Sequence, residues 1–148
     1  MTANPPKKSD LGVRVLSAYF PNGGELGSDK WAFKLRWMAA LVPRLQRELA
    51  KHERVALAGD FNVAPFDDDV AWPADWANTV LTHADARGAL DRIAGVGLSD
   101  AFRPFHPEGR VYSWWDYRGM GFERGNGLRI DHVYVTPALA SSVVGAII

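Results

Sequence analysis

From Gly12 to Tyr19 the apolar and β-branched residues Val13, Val15, Leu16 and Tyr19 recur closely enough to predict a buried strand. Phe20-Pro21-Asn22-Gly23-Gly24 follows and breaks the pairing, because Pro lacks a ladder donor and Gly weakens a strand. The strand thus delivers Tyr19 to the mouth of a loop. Between Lys30 and Lys51, the residues Leu35, Met38, Val42, Leu45 and Leu49 recur at steps of three and four, one stripe of a helix. Lys34, Arg44, Arg47, Glu48 and Lys51 fall on the opposite, polar face. Pro43 interrupts the run, and a proline inside a helix costs about 3 kcal/mol, so a kink or two shorter helices is expected there. Arg54 to Ala58 is a short apolar run that predicts a central strand, ended by Gly59-Asp60-Phe61-Asn62.

Residues 64–86 hold two prolines, three consecutive aspartates and two tryptophans without a sustained period, which predicts a long, packed surface loop. Ala86 to Gly95 reads as a helix that buries Leu90, Ile93 and Ala94, with Gly97 as its stop. Two further strands are expected, Arg110 to Tyr117 and Leu128 to Thr136, separated by a Gly-rich turn from Gly119 to Gly127. The chain ends on Ser-Ser-Val-Val-Gly-Ala-Ile-Ile, an apolar, strand-like run without capping or turn residues, which is expected of a boundary cut through a larger domain. Residues 1–10 are polar, with two prolines and two lysines, and are expected to form a disordered tail. Alternating strands and helices give an α+β class with helices covering at least one sheet.

A length of 148 residues and 47% hydrophobic content suit one domain with an ordinary core. The formal net charge of zero argues against a globally basic nucleic-acid coat. That balance hides segregation: residues 1–58 carry ten basic and five acidic side chains, 59–91 one and seven, and 92–148 six and five. An acidic middle between more basic flanks is what a cation site within a phosphate-binding surface would show. The absence of cysteine removes disulfide frameworks, thiolate zinc sites and thiol nucleophiles. No apolar stretch approaches a membrane span and the start lacks the apolar core of a secretory signal, so the reading is a soluble, cytoplasmic chain without a membrane partner.

Three clusters carry candidate chemistry. Residues two apart on a strand project to one side, so Asp60 and Asn62 can offer a carboxylate and an amide to one small volume while Phe61 points into the core. Such oxygens suit a hard cation, or a water held for attack on phosphorus; the same tetrapeptide also fits an Asx turn that closes a strand. In Gly127-Leu-Arg-Ile-Asp-His132, Arg129 and Asp131 fall on one side of an apolar strand, where burial is costly unless they pair or face a cleft. Either Asp131 orients a histidine or a water, or both charges lie on a solvated sheet face. His132 points away from Asp131 and is expected to be structural. Tyr112-Ser-Trp-Trp-Asp-Tyr-Arg118 offers aromatic faces to stack bases and an arginine to bind phosphate, or is a core strand with alternate aromatics inward. Asp67-Asp68-Asp69 lacks the spacing of a calcium loop and is expected to be solvated or to cap a helix. His52, His83 and His106 show no metal spacing.

Taken in order, Ala18-Tyr-Phe-Pro-Asn-Gly23, Lys34-Leu-Arg-Trp37, Gly59-Asp-Phe-Asn-Val-Ala-Pro65, Gly97-Leu-Ser-Asp-Ala-Phe-Arg103, His106-Pro107, Ser113-Trp-Trp-Asp-Tyr-Arg118 and Gly127-Leu-Arg-Ile-Asp131 resemble the exonuclease III and AP endonuclease branch of the endonuclease/exonuclease/phosphatase superfamily. The resemblance implies part of a four-layer α/β/β/α sandwich, two facing sheets with helices outside. It implies a magnesium-dependent phosphodiesterase, with manganese as the alternative metal, that removes nucleotides from the 3′ ends of duplex DNA and cuts beside abasic sites in DNA repair. In this chain Asp60 would position or deprotonate the attacking water, and Asn62 would hold that water or the phosphate oxygens; the same pair would serve as metal ligands. Tyr19 would contact the scissile phosphate. Asp131 would orient a histidine that stabilises the transition state. Trp114, Leu128 and Ile130 match positions lining the pocket for a flipped-out abasic sugar, where unpairing costs least. Asn22 and Arg118 would contact DNA, chiefly through its phosphates, so that binding weakens with salt.

Two parts of the family pattern have no counterpart: an early strand carrying an Asn and then a magnesium-binding Glu, and a late Ser-Asp-His segment. The expectation is a C-terminal two-thirds of such an enzyme, cut at both ends, with residues 11–148 forming a partial domain. Alone it would have little or no nuclease activity. Its uncovered apolar sheet face would drive self-association, although the full-length family is monomeric. Two alternatives remain: a non-catalytic DNA-binding or assembly module, and a phosphatase of the same superfamily acting on a small phosphoester.

Overall fold

A computed structural model describes residues 12–148; the expected tail at 1–10 lies outside the described residues. The elements in chain order are β1 (Arg14–Ser17), α1 (Asp29–Leu49), β2 (Val55–Asp60), α2 (Pro73–Trp76), α3 (Ala84–Ala94), β3 (Ser99–Asp100), β4 (Trp114–Trp115), β5 (Gly127–Leu128), β6 (Asp131–Val135) and α4 (Pro137–Ala140). One sheet has the order β1-β2-β6-β3, and β4 pairs with β5 in a second. β1 runs parallel to β2, with α1 as the crossover, whereas β2 and β3 both run antiparallel to β6.

One face of the larger sheet is covered by α1 and α3, which pack on each other. Leu57 and Tyr134, register partners on β2 and β6, join Met38 and Leu45 of α1 and Ala86, Ala89, Leu90 and Ile93 of α3 in a single core. The other face is thinly covered. Val15 is 61% exposed and Val133 is 44% exposed. Residues 143–148 border that face without forming a strand and share with Ala56, Val133 and Val135 a cavity of about 580 Å³.

Helix α1 departs from expectation in two respects. Of the two outcomes allowed at Pro43, a kink or two shorter helices, the second is not formed, since one helix runs through it. The carbonyl that loses its donor belongs to Ala39, and both residues are exposed, so the freed acceptor lies on the solvent side while Met38 and Leu45 anchor the buried side. Ser28 caps the start by accepting from the Trp31 N–H. The second departure is Lys34, assigned to the polar face but wholly buried beside Trp31 and Met38.

The segment after β2 is packed as expected, with Val63, Ala64, Val70, Val80 and Leu81 buried, but it contains α2 and a one-turn helix at Asp67–Asp69. The two long strands expected at 110–117 and 128–136 are much shorter. The first keeps two strand residues and then turns into a short helix at Tyr117–Gly119. The second splits, since β5 pairs with β4 while β6 pairs with β2, and Arg129 and Ile130 make the step between sheets.

Candidate functional site

Three adjacent strands bring the predicted acids and tyrosine to one rim of the open face. Across β2 and β6, Asp60 is the register partner of Asp131. Across β1 and β2, Ser17 partners Ala58, and the bonds from the Ala18 N–H to the Ala58 carbonyl and from the Phe20 N–H to the Asp60 carbonyl, both 2.9 Å, carry the pairing to Tyr19 beside Asp60. Alternation sends Val15, Ser17 and Tyr19 outward and buries Phe20. Tyr19, Asp60 and Asp131 therefore form a row across three strands, roughly 10 Å from end to end at ordinary strand spacing. Gly59 makes the close approach possible: with φ at 141°, a Cβ there would lie 2.0 Å from the Ala18 carbonyl oxygen.

Asp60 and Asn62 do meet, though not by strand alternation. The strand ends at Asp60, Asn62 adopts a left-handed backbone with φ of 50°, and its N–H donates to Asp60 Oδ1 at 2.8 Å, an Asx turn. The Asn62 side chain is buried: Nδ2 donates to the Phe20 carbonyl at 2.9 Å, and Oδ1 accepts from Asn22 Nδ2 at 3.1 Å. An amide oxygen has two lone pairs, so one remains. Phe61 points into the core as expected, stacked on Phe20 at 4.4 Å. Burial pushes the Asp60 carboxyl above the usual range; the Asn62 N–H pulls it down, the Asp131 charge adds to the rise and Lys34 opposes it.

Lys34 lies beneath this turn. Its Nζ donates to the carbonyls of Asn22 at 3.2 Å, Asn62 at 2.7 Å and Val80 at 2.7 Å. Burial lowers its pKa to about 8, with Asp60 opposing the shift. A signal for it exists in the sequence, because Trp31, Lys34, Met38 and Leu45 follow the helical period as well as the all-apolar stripe does.

Asn22, Trp114 and Arg118 line a cavity of about 440 Å³ next to the rim, together with Trp76 and Asp116. Trp76 meets Trp114 edge to face at 5.7 Å and is held by a 2.7 Å bond from Nε1 to Asn126 Oδ1. Arg118 is 90% exposed in its side chain and pairs with Asp116 at 3.2 Å. Leu128 and Ile130, expected in the same pocket, do not line it. Both are buried in the core, Leu128 as the β5 partner of Trp114.

Arg129 and Asp131 do not share a side, because the strand breaks between them. Asp131 is exposed, and Arg129 is only 1% exposed. Arg129 donates from Nε to Asp69 Oδ1 at 2.7 Å and from a terminal nitrogen to Asp100 Oδ2 at 2.6 Å, and Asp69 also pairs with Arg103. The last of the three aspartates caps as expected, its Oδ2 accepting from the Phe66 N–H at 3.2 Å at the start of the one-turn helix, but it is buried and ion-paired, not solvated; Asp67, exposed, pairs with Arg87. His132 is structural: its Nε2 is 2.9 Å from the Val63 carbonyl, and burial with the nearby Arg129 charge lowers its pKa to about 4.

No group of three or more His, Asp or Glu that could hold a metal occurs among the described residues. Nor is any described helix long and apolar enough to cross a membrane.

A family model described as the endonuclease/exonuclease/phosphatase family matches residues 3–148. The chain is 33% identical over 140 residues to exodeoxyribonuclease III of Haemophilus influenzae, covering 89% of this chain and 52% of that protein. To an exodeoxyribonuclease of Bacillus subtilis it is 33% identical over 136 residues, covering 90% and 53%. Among solved structures, a 3′–5′ exonuclease from Neisseria meningitidis matches with a TM-score of 0.85 at 42% identity, covering 88% of this chain and 51% of that one. An AP endonuclease from Archaeoglobus fulgidus matches with a TM-score of 0.82 at 39% identity, with the same coverage. The chain spans about half the length of these relatives.

Proposed function

The chain belongs to the endonuclease/exonuclease/phosphatase family, and from that premise we propose that it supplies the acidic, amide and phosphate-contacting part of a DNA-repair phosphodiesterase site. The reaction is hydrolysis of a phosphodiester in duplex DNA, by 3′ to 5′ removal of nucleotides and by cleavage beside abasic sites. The observation that carries the reading is the row of Tyr19, Asp60 and Asp131 across three paired strands. It puts a phenol and two carboxylates on one rim, which Asn22, bonded to Asn62, links to the tryptophan-walled cavity.

Each role follows from an environment. Asp60 accepts the proton of the attacking water, a task helped by a carboxyl raised above its ordinary range. Asn62 fixes that carboxylate through its N–H and keeps one lone pair of Oδ1 for an O–H of the water or for a cation. Tyr19, 67% exposed, contacts the scissile phosphate. Asn22 acts through Asn62, which it holds, and Arg118 meets the DNA backbone. Trp114 stacks against the sugar or base displaced into the cavity.

A hard divalent cation suits these residues. Asp60 and Asp131 are like charges directly opposite on paired strands, an arrangement that weakens a sheet unless neutralised. Mg²⁺ needs only one or two carboxylates beside waters and phosphate oxygens. Asp60, the Asn62 amide oxygen and Asp131 would hold Mg²⁺ or Mn²⁺, which would neutralise charge on the phosphate and the leaving oxygen.

The test is incubation of the chain with abasic and 3′-recessed duplexes in Mg²⁺ or Mn²⁺. Turnover, even slow, that falls by about 100-fold or more in Asp60→Asn is expected, the contribution of a general base. Turnover that survives Asp60→Asn overturns the assignment. Salt-sensitive duplex binding without cleavage in either metal replaces it with a non-catalytic DNA-binding role, and activity on a small phosphoester but not on DNA replaces it with a phosphatase.

A further inference from the structure

We infer that Lys34 is a positioning residue: its buried side chain fixes the relative placement of the three loops around the rim. This deepens the functional reading above and rests on it for the importance of Asp60 and Asn62, though the geometry stands independently. An ammonium has three N–H donors. In this chain all three go to backbone carbonyls, of Asn22 after β1, Asn62 after β2 and Val80 between α2 and α3. Backbone bonds join their flanks in pairs, from the Phe20 N–H to the Asp60 carbonyl at 2.9 Å and from the Ala64 N–H to the Leu81 carbonyl at 2.8 Å, and the ammonium adds one point at which all three segments meet.

The surroundings are built to admit the lysine. Its side chain is wholly buried, its Nζ lies 5.8 Å from the centre of the Trp31 ring, and Gly23 closes over the stem where a Cβ would come within 3.0 Å of Cδ. Asn22 and Asn62 are tied twice, once by the ammonium and once by their side-chain amides. Asn62 also holds Asp60, so a shift of the Asn62 carbonyl is passed to the catalytic carboxylate. Methionine, of similar length, can fill the tunnel but donates nothing. Arginine keeps the charge, but its planar fork cannot converge on three carbonyls around one nitrogen.

The first measurement uses the unaltered full chain. The ¹⁵N–¹H signal of the Lys34 ammonium should exchange slowly with water and couple across hydrogen bonds to the carbonyl carbons of Asn22, Asn62 and Val80; a fast-exchanging, uncoupled ammonium overturns the inference. The second compares Lys34→Met with the unaltered chain by residue-resolved hydrogen exchange. Amides of 22–24, 61–63 and 80–82 should exchange about tenfold faster, with β2, β6 and α3 unchanged. Uniform acceleration, or none, overturns the inference. The third is cleavage of 3′-recessed duplex: Lys34→Met should lower kcat about tenfold with KM within about twofold, and Lys34→Arg should recover only part. Loss of stability with kcat and KM intact overturns the positioning role. If the unaltered chain turns over no DNA, the proposed activity fails while the first two measurements still decide on Lys34.

Discussion

Replacing Arg129 with methionine removes the centre of a buried ion cluster. The Arg129 and Asp69 side chains are each 1% exposed, and Asp100 is 15% exposed in its side chain. Arg129→Met keeps the stem volume but deletes the 2.7 Å bond to Asp69 and the 2.6 Å bond to Asp100. Removing one partner of a buried pair costs about 3–5 kcal/mol, because the other charge stays behind uncompensated. Here Asp69 retains Arg103, and Asp100 retains the Phe102 N–H at 2.9 Å, so the lower end, about 3 kcal/mol, is expected. That is a large part of the roughly 5–15 kcal/mol that holds a domain together. Urea unfolding at neutral pH, followed by tryptophan fluorescence, measures it. Adding Asp100→Asn to Arg129→Met should return about 1 kcal/mol, since it discharges the stranded carboxylate. A loss below about 1 kcal/mol for Arg129→Met, the range of exposed pairs, would refute the picture of a desolvated cluster.

The facing acids give a second prediction: Asp131→Asn should lower the Asp60 titration midpoint, because one of the influences raising it is the opposite charge. Carboxyl ¹³C NMR follows it, and an unmoved midpoint would mean that the two groups do not interact. A third concerns His132, whose ring burial lowers from 6.5 to about 4. The unfolded chain binds a proton below about pH 6.5 and the native chain only near pH 4, so stability, full above pH 6.5, should fall across that window by about 3 kcal/mol. His132→Gln should flatten that part of the stability profile; a slope that persists assigns the loss to other groups.

The periodic elements were legible in the sequence, and so was the turn at Asp60. Apolar steps of three and four found α1 and α3, and the run before Gly59 found β2, because burial on one side leaves a regular imprint. Charged residues left a misleading one. Lys34 was read as facing solvent, and Arg129 as paired, facing a cleft or solvated, because burying a charge is costly; each is buried where acceptors from distant segments converge, and no local pattern records which acceptors these are. The capping role of Asp69 was legible, but its burial was not, because its arginine partners lie 34 and 60 residues away. The split between β5 and β6 escaped notice because an apolar run has the same spelling whether it serves one sheet or two. Of the two readings of Asp60 and Asn62, the Asx turn is the one realised: the Asn62 backbone N–H, not a side chain aligned by strand alternation, meets the Asp60 carboxylate.

The two-residue step at Arg129 and Ile130 sets how this stretch can evolve. With β5 registered to β4 and β6 to β2, deleting or inserting a single amino acid there would rotate every later side chain by half a turn about the strand. Asp131 would then be driven among the helices, and Tyr134 would be left facing water. Length variation should therefore be selected against at this position far more strongly than a change of residue.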